Sequence, residues 1–393
     1  MLSHDEIIQI QNEIRTSVEK QVKDGEQSKN LEGALACGQF MNVLHLKQRG
    51  IHGTAAAIRV LASFNGNYNN EIGKLIHYVR NRKDFDKDKI LESSLEKDET
   101  NVIKIGELLY SLSFVKQGSL DTSSLVKELG DKLISNIKNE KSWGYFIESD
   151  NKSEILPTAY AYLGLRSNNF DNLNKIEVFL KSSIEESFKN KKIDNPSLYA
   201  SIIVAIYVLS NYEIDINQKQ LIEKLWKSPF CTMSFNLEQN IEYPYKYEHS
   251  YIRIPWQLFF LALSAKYSPR YYSKKLCRQR ISDMKLMVKG QGFKYIQSGD
   301  ELSTRTNSIL FDVLEFIDKH SKQNIRYSVF SILNEITWFI NRNWLKKTLF
   351  SIIIICIGLS IFQWIRSPTA SIKDLAPEFI VYLFSVLLIF TKR

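Results

Sequence analysis

The chain has 393 residues, enough for one large or two ordinary domains, and 44% of them are apolar, so most of it can bury a core. With 52 Lys and Arg against 43 Asp and Glu the net charge is +9, which suits nucleotide, nucleic-acid or anionic-lipid partners and equally an ordinary membrane protein. Four widely spaced cysteines, Cys37, Cys231, Cys277 and Cys356, form no CxxC pair, which argues against a disulfide framework or a zinc site and fits a reducing cytosol.

Met1 to Ile10 carries Asp5 and Glu6 and has no apolar core, so no signal peptide is expected. From there two kinds of helix alternate. Amphipathic, charged segments are predicted over 5–22, 69–80, 121–137, 173–188, 217–226 and 271–288. Between them lie strongly apolar segments that start near Thr54, Thr100, Thr158, Ser197, Pro255 and Thr306. These starts are 39 to 58 residues apart, which indicates a repeat of about 50 residues. Two stretches also align without a gap, from Gly144 and from Gly292: Gly–aromatic, a polar loop, then Thr158 or Thr306 and an apolar helix. Strand signals are few. The expectation is an all-α chain in which inner helices alternate with outer ones about six times, closing into an (α/α)6-like toroid.

Past the last repeat, Ile325, Val329, Ile332, Leu333, Ile336 and Phe339 recur at helical spacing, which predicts an amphipathic connecting helix. Thr348 to Ile365 then runs 18 residues without a charge, about 27 Å of helix, with Trp344 and Trp364 at its ends. A second apolar run, Phe379 to Thr391, has 13 residues. Preceded by Asp374 and Pro377 it predicts a thin or tilted second span, or a re-entrant helix. Basic residues before and after this hairpin (Arg342, Lys346, Lys347, Lys392, Arg393) outnumber Arg366 and Lys373 within it, so both ends are expected in the cytosol. The domain plan is thus 1–320, a cytosolic toroid; 321–347, a connecting helix; and 348–393, a transmembrane hairpin. One hairpin cannot enclose a pore, so conduction would need a homo-oligomer, taken here as a tetramer.

The Trp143–Gly144–Tyr145 and Gly292–Phe293 loops, each leading to a Thr and an apolar helix, resemble the squalene-cyclase and protein-prenyltransferase superfamily of α/α toroids over roughly residues 1 to 320. That resemblance implies a cavity at the end of the barrel where inner-helix N-termini meet. Helix N-termini suit an anionic ligand. The ligand-binding candidates are His52, Lys104, Tyr145, Tyr160, Arg253, Trp256 and Arg305 near those ends. Tyr245 and Lys246, from the aromatic–basic stretch Tyr243 to Trp256, and Tyr295 join them. Thr54, Thr158 and Thr306 are read as N-caps. A further basic cluster, Arg270, Lys274, Lys275, Arg278 and Arg280, is read as an outer surface.

No motif supports catalysis. Asp84–Phe85–Asp86–Lys87–Asp88 lies in a charged connection, lacks the Gly and Glu of a calcium loop, and does not open an inner helix as a cyclase acid would. The six His are scattered, with no HExxH, no P-loop, no GxSxG and no dinucleotide fingerprint, so no metal or cofactor is expected. In layout the chain is similar to the membrane effector of bacterial Hailong anti-phage systems. That resemblance implies an oligomeric ion channel in the inner membrane, with its toroid controlled by a short oligodeoxyadenylate from a partner nucleotidyltransferase. The alternative is a membrane-bound enzyme of prenyl or polyprenyl lipid metabolism; a passive anchored scaffold is the third reading.

Overall fold

The structure, a computed structural model, describes residues 4–26, 51–64, 67–81, 101–115, 120–139, 141–145, 147, 153–189, 193, 196–228, 256–268 and 304–321. The chain divides into two compact units, Met1–Ile325 and Arg326–Arg393, and every described residue belongs to the first. The predicted connecting helix and hairpin lie outside the described residues. So do the helix expected over 271–288, the Gly292–Phe293 loop, the Arg270–Arg280 basic cluster and the acidic stretch at Asp84. Among the described residues no helix is long and apolar enough to cross a membrane.

The described residues form eleven α-helices and no strand. These are α1 (His4–Glu26), α2 (Ile51–Ala62), α3 (Asn69–Asn81), α4 (Val102–Leu112), α5 (Ser123–Ser135), α6 (Ile155–Ser167), α7 (Asn174–Lys189), α8 (Pro196–Asn211), α9 (Gln218–Trp226), α10 (Trp256–Tyr267) and α11 (Thr304–Ser321). They fall into two sorts. In α6 every residue from Leu156 to Leu165 is buried, and in α2 every residue from Gly53 to Leu61. A helix that is apolar all round has no face to give to water and must be enclosed by others. By contrast α5 buries Leu125, Leu129, Gly130 and Leu133, and α7 buries Ile176, Leu180, Ile184 and Ser187, a single stripe each.

The enclosed helices pack in succession. α2 lies against α4, α4 against α6, α6 against α8, α8 against α10, α10 against α11, and α11 against α2, where the series began. The striped helices back onto them: α3 on α2, α5 on α4, α7 on α6 and α8, α9 on α10. α1 covers both α11 and α2, and His4 Nδ1 sits 3.1 Å from Asp318 Oδ1 on α11.

The α4–α6 contact is the closest of these. A Cβ on Gly106 would overlap the Tyr160 carbonyl, and one on Gly164 would sit 2.5 Å from the Gly106 carbonyl oxygen. Only glycine lets the two backbones approach this far. The approach brings Glu107, the next residue on α4, to the turn of α6 that carries Tyr160.

The Gly–aromatic loop gains a mechanism. Thr158 Oγ1 accepts from the Trp143 amide at 3.0 Å and donates to the Trp143 carbonyl at 3.2 Å. The Trp143 indole donates to the Leu133 carbonyl at 3.0 Å, tying the loop to α5. Thr158 is therefore no N-cap: it is the fourth residue of α6, after the cap position Glu154. Thr54 is likewise the fourth residue of α2, and Thr306 the third of α11. A hydroxyl within the helix can bond across to another segment, whereas a cap bonds only its own first turn. At α4 the cap is Asn101, one residue after the expected start, whose Oδ1 accepts from the Lys104 amide at 3.2 Å.

Candidate functional site

Three helices bring basic or imidazole side chains to one place from their first turns: His52 is the second residue of α2, Lys104 the third of α4 and Arg305 the second of α11. The sequence reading puts Arg305 in the loop before its helix; the structure puts it inside α11, pointing across to α4. There Glu107 receives it. Arg305 Nε donates to Glu107 Oε1 at 2.8 Å and its Nη2 reaches the same oxygen. His52 Nδ1 lies 2.5 Å from the other oxygen, Oε2. The guanidinium also stands 5.9 Å over the Tyr160 ring. One carboxylate thus joins α2, α4 and α11.

Burial alone would raise the pKa of Glu107, but Arg305, and then His52, outweigh it and hold the carboxyl below its ordinary value. For His52 burial is the main influence and lowers the pKa; Glu107 opposes this, while Arg305 and Lys104 add to it. The imidazole is therefore neutral at neutral pH. Since an ionised carboxylate only accepts, Nδ1 carries the ring proton and donates, which leaves Nε2 as an acceptor.

A second buried cluster lies two turns further along α2. Arg59, 1% exposed, reaches Asp312 Oδ1 at 2.6 Å and Glu315 Oε2 at 2.5 Å, both on α11, and also Ser63. Its guanidinium stacks on the Phe114 ring with 3.6 Å to the centroid, and Tyr110 and Phe311 flank it at 5.9 and 5.4 Å. Cation–π contacts of this kind gain strength when water is excluded. Burial pushes the Asp312 carboxyl up to about 7, against the pull of Arg59 and with the help of the Glu315 charge. Asp312 therefore titrates where Glu107 does not.

Both clusters face one cavity of about 50 Å³, lined by all six enclosed helices. That is room for a few waters at ~10–15 Å³ each. Its walls differ in character. His52, Glu107, Tyr110, Arg305 and Asp312, from α2, α4 and α11, form the charged wall; Leu163, Val204, Val208 and Phe259, with Tyr160 and Tyr207 between them, from α6, α8 and α10, form the uncharged one.

Of the residues expected to bind ligand, His52, Lys104, Tyr160 and Arg305 are brought together. Lys104 is buried and acts on His52 through its charge without lining the cavity. Tyr145 is buried, and its carbonyl accepts from the Val102 amide at 3.0 Å, where α4 begins. Tyr245, Lys246, Arg253 and Tyr295 lie outside the described residues, and Trp256 is the first residue of α10. Glu107, Arg59, Asp312 and Tyr110 belong to no motif in the sequence. A visible signal existed for Arg59, the only charge in IHGTAAAIRVLA, and for Glu107, the only acid in VIKIGELLYSL. A lone charge in an otherwise buried helix must find a partner inside the fold.

Among the described residues no group of three or more His, Cys, Asp or Glu is placed to hold a metal ion. No protein-family model, no curated protein and no solved structure matches the chain.

Proposed function

We propose that the protein is a membrane effector whose helical domain senses a phosphate-bearing, nucleotide-derived ligand. In this reading the six enclosed helices and their backing helices make an (α/α)6-like toroid, a view supported by the succession of contacts that runs from α2 through α11 and back to α2. The observation that carries the ligand assignment is the convergence of His52, Lys104 and Arg305, from the first turns of three helices, beside a cavity at the centre of that succession. Helix N-termini and guanidinium groups both favour oxyanions. A short oligodeoxyadenylate made by a partner nucleotidyltransferase is the ligand proposed. The hairpins of a homo-oligomer, a tetramer in this proposal, would form an ion channel in the bacterial inner membrane, with the helical domain and the C-terminus in the cytosol. No catalytic step is assigned to the protein itself.

The test is to purify the full-length protein and identify any co-bound molecule by mass spectrometry. A nucleotide that is absent from the Arg305→Gln protein is the expected result; a lipid in its place, or nothing, would overturn the reading. For the channel, ion flux from liposomes is expected from the full-length protein and should vanish when residues 348–393 are deleted. The uncharged wall, with Leu163, Val204, Val208 and Phe259, favours one second reading, an enzyme acting on prenyl chains. A co-purified polyprenyl phosphate would establish it.

A further inference from the structure

The groups best placed to bind an oxyanion are already in use. Arg305 Nε and Nη2 and His52 Nδ1 all converge on Glu107, which presents a delocalised negative charge to them as an oxyanion would. Glu107 has somewhere else to go. Lys104 lies one turn earlier on the same helix, at the i,i+3 spacing that makes side chains neighbours, and its charge is already felt at His52. The adjoining cavity, about 50 Å³, admits a group of a few heavy atoms and no more while Glu107 stays in place.

We propose that Glu107 is an internal counter-ion occupying a phosphate subsite. A phosphate or phosphate-monoester group enters by taking the His52 and Arg305 donors from Glu107, whose carboxylate re-pairs with Lys104. This deepens the ligand-sensing reading above and rests on it for its physiological meaning, although the subsite can be tested by itself. The exchange is isoelectric for α4, since Glu107 trades one cation for another. It is not neutral for the link between helices. Glu107 is one of the ties between α4 and α11, beside the hydrogen bond of Tyr110 with Asp312, so an incoming phosphate loosens α11 from α4 at this end and transfers that hold to the ligand. The sensor would be held closed by a carboxylate and released by a competing oxyanion.

Calorimetric titration of the full-length protein with inorganic phosphate tests this. Glu107→Gln keeps the shape and removes the competing charge, so phosphate should bind it about tenfold more tightly than it binds the wild type. Adding Arg305→Gln to that variant should abolish the binding. Equal or weaker binding by Glu107→Gln, or binding that survives Arg305→Gln, overturns the proposal. Should Glu107→Gln fail to fold, Glu107→Asp, which draws the carboxylate back by one methylene, should bind phosphate more tightly than wild type and gain thermal stability from it; no gain overturns the proposal equally. A phosphorylated deoxyadenylate trimer and its unphosphorylated counterpart separate the two sources of the phosphate group. Displacement of phosphate by the first trimer alone supports both ideas. If neither trimer displaces phosphate while the Glu107 and Arg305 effects hold, the subsite stands and the oligonucleotide reading falls.

Discussion

The two charge clusters that face the central cavity are built from similar residues, yet they keep their balance in different ways. Around Glu107, one carboxylate serves an arginine and an imidazole, and the acid stays ionised. Around Arg59, one guanidinium serves two carboxylates, and the more buried of them, Asp312, holds its proton up to about pH 7. A cluster with spare acid can relieve a lost partner by taking up a proton. A cluster whose spare groups are an arginine and a neutral histidine cannot, because arginine does not deprotonate. The first cluster is therefore brittle and the second compliant.

The sharpest way to break that contrast is Glu107→Ala. Buried Arg305 would lose its Glu107 ion pair, and chemical denaturation should show a loss of about 3–5 kcal/mol. Next comes pH, where the clusters carry opposite signs. His52 has a folded pKa below its unfolded one, so its contribution is present above about 6.5 and is lost as the pH falls below that. Asp312 has a folded pKa above its unfolded one, so its contribution is present below about 4 and is lost as the pH rises through about 7. Thermal melts from pH 5 to pH 8 should show the wild type losing stability, on the order of 3 kcal/mol, relative to an Asp312→Asn variant as the pH rises. A parallel course for the two proteins would contradict the compliant picture. Arg59→Met comes third, with an expected cost of about 1–3 kcal/mol, less than Glu107→Ala because Asp312 can neutralise itself. An equal or larger cost than Glu107→Ala would erase the distinction. Smallest is Glu315→Gln: the side chain is 43% exposed, so water screens the pair and the loss should stay below about 1 kcal/mol.

The sequence made the alternation of helices legible because burial leaves a mark at the scale of a whole helix. Helix α6 has no charged residue from Leu156 to Leu165, and α5 has one apolar stripe. Register was harder. A hydroxyl near a helix start usually bonds its own first turn, which makes Thr54 and Thr158 look like caps, whereas Thr158 reaches fifteen residues back to Trp143. The basic half of the site was visible because cations at helix starts are conspicuous. Its acidic half is marked only by Glu107, the single acid in its helix, because Glu107 and Asp312 meet His52 and Arg59 only after the helices have been brought together. The spacing between Arg59 and Glu315 is 256 residues, and no local pattern spans it.

That long span has a consequence for biosynthesis. The contact of α2 with α11 joins the first enclosed helix to the last, so the succession cannot complete until α11 has left the ribosome. Until then α2 and α10 each lack a neighbour: α10 waits with an apolar flank uncovered, and α2 with the flank that carries Arg59. Forming such a distant contact is slow, and the waiting chain is open to association with its own copies or with a chaperone. A stalled or truncated chain ending before Thr304 should therefore be found aggregated or chaperone-bound, and Arg59, with no Asp312 to meet, would be the buried charge that keeps it from settling.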